Sequence, residues 1–509
     1  MEKRTLLAVI LSLIILLGWS YFFPKKYAPQ KTSQTEQAPL KTEPAVKTET
    51  TQPSSQPAIE YPETKETLAN DIIVETDLYK AVFSTEGATI KSWELKTYKD
   101  SHKMPVVLLK EPGSIPPLGI IFEDPNRTLP LKPIYETNIK QLMLSKGDPQ
   151  GELIFIFSNN VMSVKKKFVF YNNDFKVDLS IETVNVPSYT LPLGTDFGVF
   201  DKQQSDHKGP VLLVDTDRKE FDEKLKEKLN FTGNILWIAQ EDKYFTAALI
   251  PLAQTEGAEV WKEGTSPEIA FKVKQPKQDF IFYAGPKEYD RLKNLNKGLE
   301  HIVDFGWFTV VAMPLFWVLK FFHKFLGNYG WTIILLTIVV RIPFIPILNK
   351  SQQSMKKMQK IQPMMAEIKE KYSKDSQRMQ KEMMALYKKH KVNPVGGCLP
   401  MLLQIPVFIA LYNVLNKAIE LRGAPFALWI TDLAAKDPYY ILPITMGATM
   451  VIQQKMTPST MDPAQAKIMM FMPVIFTFMF LTFPSGLVLY WLVNNVLGII
   501  QQYYVNKKA

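Results

Sequence analysis

Cysteine is almost absent: Cys398 is the only one in 509 residues, so no intrachain disulfide can form. A large exported domain without disulfides fits a bacterial envelope protein. Histidine is scarce too. The five are His102, His207, His301, His323 and His390, and none lies inside a confident apolar span. Acidic residues are missing from 305–366 and from every later uncharged run. Proton-driven transporters generally need intramembrane acids or histidines, so that class is disfavoured. No phosphate-binding loop, no H-E-x-x-H and no nucleophile elbow occurs, so no enzymatic activity, metal or cofactor is expected. No internal repeat is evident.

What is present is long uncharged runs. After Lys3 and Arg4, Thr5–Phe23 carries no charge over 19 residues, enough to cross a hydrocarbon core of about 30 Å. It ends in Trp19, Tyr21, Phe22 and Phe23, an interfacial aromatic belt. An uncleaved signal-anchor (1–23) is expected, with a cleaved signal peptide as the alternative. The Pro-, Thr- and Gln-rich stretch 24–60 has too few large apolar residues to pack and reads as a tether.

From 61 to 286 the period becomes two. Phe175-Lys-Val177-Asp-Leu179-Ser-Ile181-Glu alternates strictly, Phe271-Lys-Val273-Lys follows, and Val82–Ile90 does so loosely. Such alternation predicts strands with one buried face, here an antiparallel β-sandwich. Turns are expected at Asn172–Asp174, at Lys146–Pro149 and near Gly113, with one charged helix over Arg218–Leu229. At Lys287 the period turns helical: Leu292, Leu295, Leu299 and Ile302 fall three and four apart. In 306–326 an apolar, aromatic run is broken by Lys320, His323 and Lys324, which predicts an interfacial helix within 287–326, with a full span as the alternative.

Spans are then expected at 327–348, 392–417, 438–456, 466–483 and 486–505, the last two joined by a turn at Phe483–Gly486. The intervening segments are 349–391, 418–437 and 457–465, with a tail at 506–509. The loop Asn349–Lys391 carries twelve Lys/Arg against four acids, whereas Glu420–Asp437 has two against three. The positive-inside rule puts the first in the cytoplasm and the second outside. Six spans with both termini cytoplasmic give the same answer. The fold class read from this is a polytopic α-helical membrane protein with a periplasmic β-domain, set in a bacterial inner membrane. Much of the +10 net charge lies in the cytoplasmic loop, next to anionic lipid rather than nucleic acid.

Arg341 is the sharpest feature. It lies in Leu335-Leu-Thr337-Ile-Val-Val-Arg341-Ile-Pro-Phe with no acid nearby in sequence. Arginine at the bilayer centre costs about 2.5–3.5 kcal/mol on insertion scales. It must therefore face water, carbonyls, lipid phosphate or an anionic guest, or else snorkel to the headgroups. The spans also hold Pro343, Pro346, Pro400, Pro406, Pro443 and Pro473, and the polar Gln404, Asn413, Thr477, Asn494 and Asn495. These polar groups suit either interhelical hydrogen bonds or the lining of a groove. The loop 349–391 reads as a helical hairpin of Gln352–Glu370 and Gln377–Lys391. Its Met355, Met358, Met364, Met365, Met379, Met383 and Met384 suit either apolar client binding or internal packing.

Glu382-Met-Met-Ala-Leu-Tyr-Lys388, Val392-Asn-Pro-Val-Gly-Gly-Cys398-Leu-Pro-Met-Leu-Leu-Gln404-Ile-Pro406, Ala424-Pro-Phe-Ala-Leu-Trp429-Ile, Pro438-Tyr-Tyr-Ile-Leu-Pro443, Phe471-Met-Pro473-Val-Ile-Phe476 and Phe483-Pro-Ser-Gly486-Leu-Val-Leu-Tyr490-Trp491 together resemble the YidC/Oxa/Alb family of membrane protein insertases. The resemblance covers about 290–509. It implies a five-helix core around a hydrophilic groove open to the cytoplasm. It implies Arg341, Thr337, Gln404 and Asn495 as groove residues. It further implies Cys398, Leu399, Pro400, Pro406, Pro473 and Phe476 as contacts to a client helix. Met355, Met358, Met383 and Met384 are expected as cytoplasmic client or targeting contacts. The implied partners are nascent inner-membrane proteins, the Sec translocon (SecYEG and SecDF), the ribosome–nascent chain with the signal recognition particle receptor, and anionic lipids. The alternative is an envelope assembly scaffold acting through the periplasmic domain.

Overall fold

A computed structural model describes residues 69–508 apart from 101, 111–112, 114, 123–132, 201–206, 265, 391, 393–398 and 458–462. The expected signal-anchor, the tether and Cys398 lie outside the described residues. The chain divides into two compact units, Met1–Gly285 and Pro286–Ala509.

The first unit is β-rich, with three sheets of five, nine and five strands. In the nine-stranded sheet, Lys176–Val184 lies between Ser163–Tyr171 and Lys277–Pro286, antiparallel to both. Its Val177, Leu179 and Ile181 are fully buried while the residues between them are not, as the alternation requires. Aromatic side chains join the sheets. Phe83 stands 5.1 Å and 5.7 Å from Phe168 and Phe170, edge-on, and Trp93 meets Phe282 at 5.6 Å.

Two expectations are corrected here. Val82–Ile90 is not one strand: Tyr79–Ser84 ends, Gly87 and Ala88 take positive φ (71° and 49°), and Thr89–Lys99 returns antiparallel. Arg218–Leu229 is not a helix. Asp217–Glu220 is a strand paired to Gly209–Val214, and Leu229–Phe231 is another. The charges there pair along and across the sheet: the Arg218 guanidinium bridges Glu220 on its own strand and Glu241 on Ile235–Glu241.

The second unit is helical. Helix α1 is Tyr289–Asn294, α2 Thr309–Leu326, α3 Tyr329–Arg341, α4 Ile345–Lys360, α5 Gln362–Lys371, α6 Ser376–Lys389, α7 Leu399–Lys417, α8 Ile441–Met456, α9 Pro463–Phe480 and α10 Ser485–Lys508. The leucine period at 292–302 does bury Leu292, Leu299 and Ile302, but not on one helix. Asn296 and Gly298 take φ 54° and 72° and break it into α1 and a 3-10 turn. The first hairpin arm is likewise divided, because Pro363 starts α5 after a break at Ile361. On the second arm the Asp375 side chain caps α6 by accepting from the Arg378 amide at 3.0 Å.

By length and composition, α2 and the run Tyr329–Lys360 are long and apolar enough to cross a membrane. One face of α2 buries Ala312, Leu315, Phe316 and Leu319 in the helical core. The other exposes Val310, Trp317, Phe321 and Phe325. Helix α10 is the hub of the bundle, packing against α3, α4, α7 and α8. Where α8 meets α9, Gly447 is required: a Cβ there would lie 2.0 Å from Thr477 Oγ1. The segment between α7 and α8 folds over the turn into α10. There Ser485 donates its amide (2.7 Å) and hydroxyl (2.8 Å) to the Ala435 carbonyl. The buried Asp437 accepts from Trp429 Nε1 (3.0 Å) and from the Leu442 amide (2.7 Å), tying that segment to the first turn of α8.

Candidate functional site around Arg341

Arg341 closes α3 where Pro343 and the 3-10 turn Ile342–Phe344 tighten the backbone before α4. The turn separates an apolar helix from one that continues into the polar hairpin. Arg341 sits at that change, half-buried against α10. Its Nη1 donates to the Asn494 carbonyl (3.1 Å) and to Asn494 Oδ1 (2.6 Å), and its Nη2 donates to Gln501 Oε1 (3.1 Å). Among the described residues all its acceptors are neutral oxygens and none is a carboxylate. Gln501 in turn donates to Asn349 Oδ1 at 2.7 Å, reaching the second turn of α4. Gly498, one turn from both Asn494 and Gln501, leaves room for the guanidinium: a Cβ there would approach Arg341 Nη2 to 3.3 Å.

The other three expected groove residues surround this centre without touching the guanidinium. Thr337, one turn before Arg341, is buried and donates back to the Ile333 carbonyl at 2.7 Å, so its hydroxyl is used within its own helix. Gln404 Nε2 donates to the Tyr490 hydroxyl across α7 and α10. Asn495 is buried and donates to Thr449 Oγ1 at 3.2 Å, joining α10 to α8. A polar stripe therefore runs along α10 and binds four neighbouring helices, α3, α4, α7 and α8. It includes Gln502, which reaches Thr457 at 3.2 Å.

The expected client-contact residues are placed less uniformly. Leu399 and Pro400 open α7, and Pro406 is half-buried within it. Pro473 is buried, and Phe476 packs on Trp491 (ring centroids 6.1 Å) instead of facing outward. The outward stripe of α9 is Met470, Phe471, Val474, Ile475 and Phe478, all exposed. The reason is rotational: Pro473 and Phe476 lie three apart on the face that meets the bundle, and their neighbours fall on the other face. In the hairpin, Met358 is buried with Ile361, Met365 and Leu386, and Met383 packs against that small core. Met355 is half-buried and Met384 exposed. Sequence reasoning missed Gln501 and Asn349 altogether, and named Asn494 only as one of five polar groups in the spans, not as a partner of Arg341. The signal was there: Asn494 and Gln501 are seven apart, two turns on one helix face.

The family model described as 60Kd inner membrane protein matches residues 321–509, and that of the YidC periplasmic domain matches 71–318. A membrane protein insertase YidC from Syntrophus aciditrophicus is 41% identical over the whole of both chains. Another from Geotalea daltonii is 41% identical over all of this chain and 99% of its own. A solved structure described as an active YidC insertase with its first transmembrane domain resolved is 20% identical, covers 84% of this chain and 91% of that chain, and superposes with a TM-score of 0.39.

Proposed function

The chain belongs to the YidC family of membrane protein insertases, and from that premise we propose that it moves spanning segments of other inner-membrane proteins into the bilayer through a polar, cytoplasm-open groove around Arg341. The observation that carries this reading is the setting of Arg341: a half-buried cation in the helical unit, held by Asn494 and Gln501 through neutral oxygens alone among the described residues. An arginine left uncompensated at that depth attracts an anion, and a short acidic client tail supplies one.

The rest of the mechanism follows from the two surfaces. A client reaches the hairpin, its hydrophilic tail enters beside Arg341, and its apolar segment moves along the exposed stripe of α9 into lipid. Transferring about twenty apolar residues at tenths of a kcal/mol each supplies the driving force, so no nucleotide is consumed. Met364 on α5 and Met384 on α6 are exposed and open to a client, while Met358 serves the hairpin itself. The proposed topology has six spans: the N-terminal apolar run, α3 with the start of α4, α7, α8, α9 and α10. In it α2 lies at the outer interface on its cationic turn, and the β-unit is a periplasmic sandwich. The Sec translocon, a ribosome–nascent chain with the signal recognition particle receptor, and anionic lipids are the proposed partners. An envelope scaffold is the weaker reading, because the full-length relatives are named as insertases.

Insertion of an acidic-tailed, single-span client into liposomes carrying the protein tests the reading. Arg341→Ala and Arg341→Glu are expected to lower insertion about tenfold or more, and Arg341→Lys to be mild because a point charge suffices. Normal insertion by both the Ala and Glu variants would remove the charge mechanism.

A further inference from the structure

We propose that Asn494 and Gln501 are positioning residues that keep the Arg341 charge unneutralised and leave part of its guanidinium open to an incoming carboxylate. This rests on the groove reading above and adds the residues that make it work. Guanidinium presents five N–H donors. Nη1 is engaged by two oxygens of Asn494, and Nη2 gives one bond to Gln501. The Nε–H and one Nη2–H have no acceptor among the described residues, and Arg341 is not fully enclosed. A carboxylate takes guanidinium donors in pairs, so a vacant part of the fork suits an acidic tail.

The identity of the two holders is the second part of the argument. An aspartate or glutamate has nearly the same shape as Asn494 or Gln501 and would bind the cation more strongly. A carboxylate at 2.6 Å from Nη1 would convert a receptive cation into a closed ion pair, with little field left for a client. Amide oxygens hold the guanidinium in place without cancelling its charge. Asn494 also contributes its backbone carbonyl at 3.1 Å, so the holder is fixed by the helix as well as by its side chain.

Gln501 extends the arrangement toward the cytoplasm. Its Nε2 donates to Asn349 Oδ1 at 2.7 Å and its Oε1 accepts from Arg341, which orients the amide. Asn349 lies on α4, the helix that carries the hairpin. The orientation of the Arg341 holder is thereby set from the root of the element a client meets first.

The test uses the full-length protein in liposomes and two single-span clients, one with an acidic tail and one with those acids changed to Asn and Gln. The readout is the ratio of acidic-tailed to neutral-tailed insertion, which a loss of fold does not move selectively. Asn494→Asp and Gln501→Glu are expected to lower that ratio about tenfold, close to the Arg341→Ala value, although the arginine is still present. An unchanged ratio in both Asn494→Asp and Gln501→Glu, with Arg341→Ala impaired, overturns the positioning role and leaves the groove reading standing. An equal fall for both clients assigns the two amides to structure and also overturns it. A normal ratio in Arg341→Ala overturns the groove reading and the positioning role together.

Discussion

Lys166 is fully buried in the β-unit, and its Nζ donates to the carbonyls of Gly87 (3.0 Å), Ala88 (3.2 Å) and Leu118 (2.7 Å). Burial pushes the ammonium down to about 7 from its ordinary 10.5. Between those values the unfolded chain holds the extra proton, so stability rises with pH through that window. Glu268 behaves in the opposite sense. It is fully buried and accepts from the amides of Gly194 and Ile269 (3.0 Å each) and from Thr195 Oγ1 (3.1 Å). Burial outweighs those donors and pushes the carboxyl up to about 8, so from its ordinary 4.5 to that value the folded chain holds the extra proton and stability falls as pH rises. Lys166→Met is expected to remove the rise above about pH 7 and, by stranding three carbonyls, to cost about 1–3 kcal/mol. Hydrogen exchange of strand Ser163–Tyr171, corrected for intrinsic rate and followed across pH, reads both. A slope unchanged in Lys166→Met refutes the assignment.

At the scale of elements, close approach and breakage decide more than propensity. Gly447→Ala places a Cβ 2.0 Å from Thr477 Oγ1 and is expected to destabilise the helical unit by about 1–3 kcal/mol. Thr477→Ala removes that hydroxyl, so the double variant is expected to recover most of the loss in thermal unfolding in detergent, a coupling that independent sites do not show. The same scale shows why parts of the sequence misled. Arg218–Leu229 has helical-looking charges, but pairing of Asp217–Glu220 with Gly209–Val214 and of Arg218 with Glu241 outweighs local preference. Pro363 and the positive φ of Asn296 and Gly298 break runs that periodicity alone joined. Strict alternation over Phe175–Glu182 was legible because nothing competes with it.

For the whole molecule, the chain forms two compact units, Met1–Gly285 and Pro286–Ala509. Proposed insertion chemistry resides in Pro286–Ala509, so deleting most of 61–285 is expected to leave insertion of a simple acidic-tailed client within about twofold, the scale of ordinary mutational scatter. Abolished insertion in a deletion variant that still reaches the membrane would favour the scaffold reading.

The sequence by itself determined where the apolar runs lie, that the strict alternation over Phe175–Glu182 marks a strand, that no disulfide forms, and that Arg341 has no acidic neighbour along the chain. Those are local properties: composition, period and spacing survive without knowledge of packing. The partners of Arg341 were decided only by tertiary structure, because Asn494 and Gln501 stand 153 and 160 positions away and reach it through the packing of α3 on α10. The same holds for Pro473 and Phe476. Which face of α9 meets the bundle depends on rotation against α8 and α10, and a helix rich in apolar residues all round carries no periodic mark of that rotation.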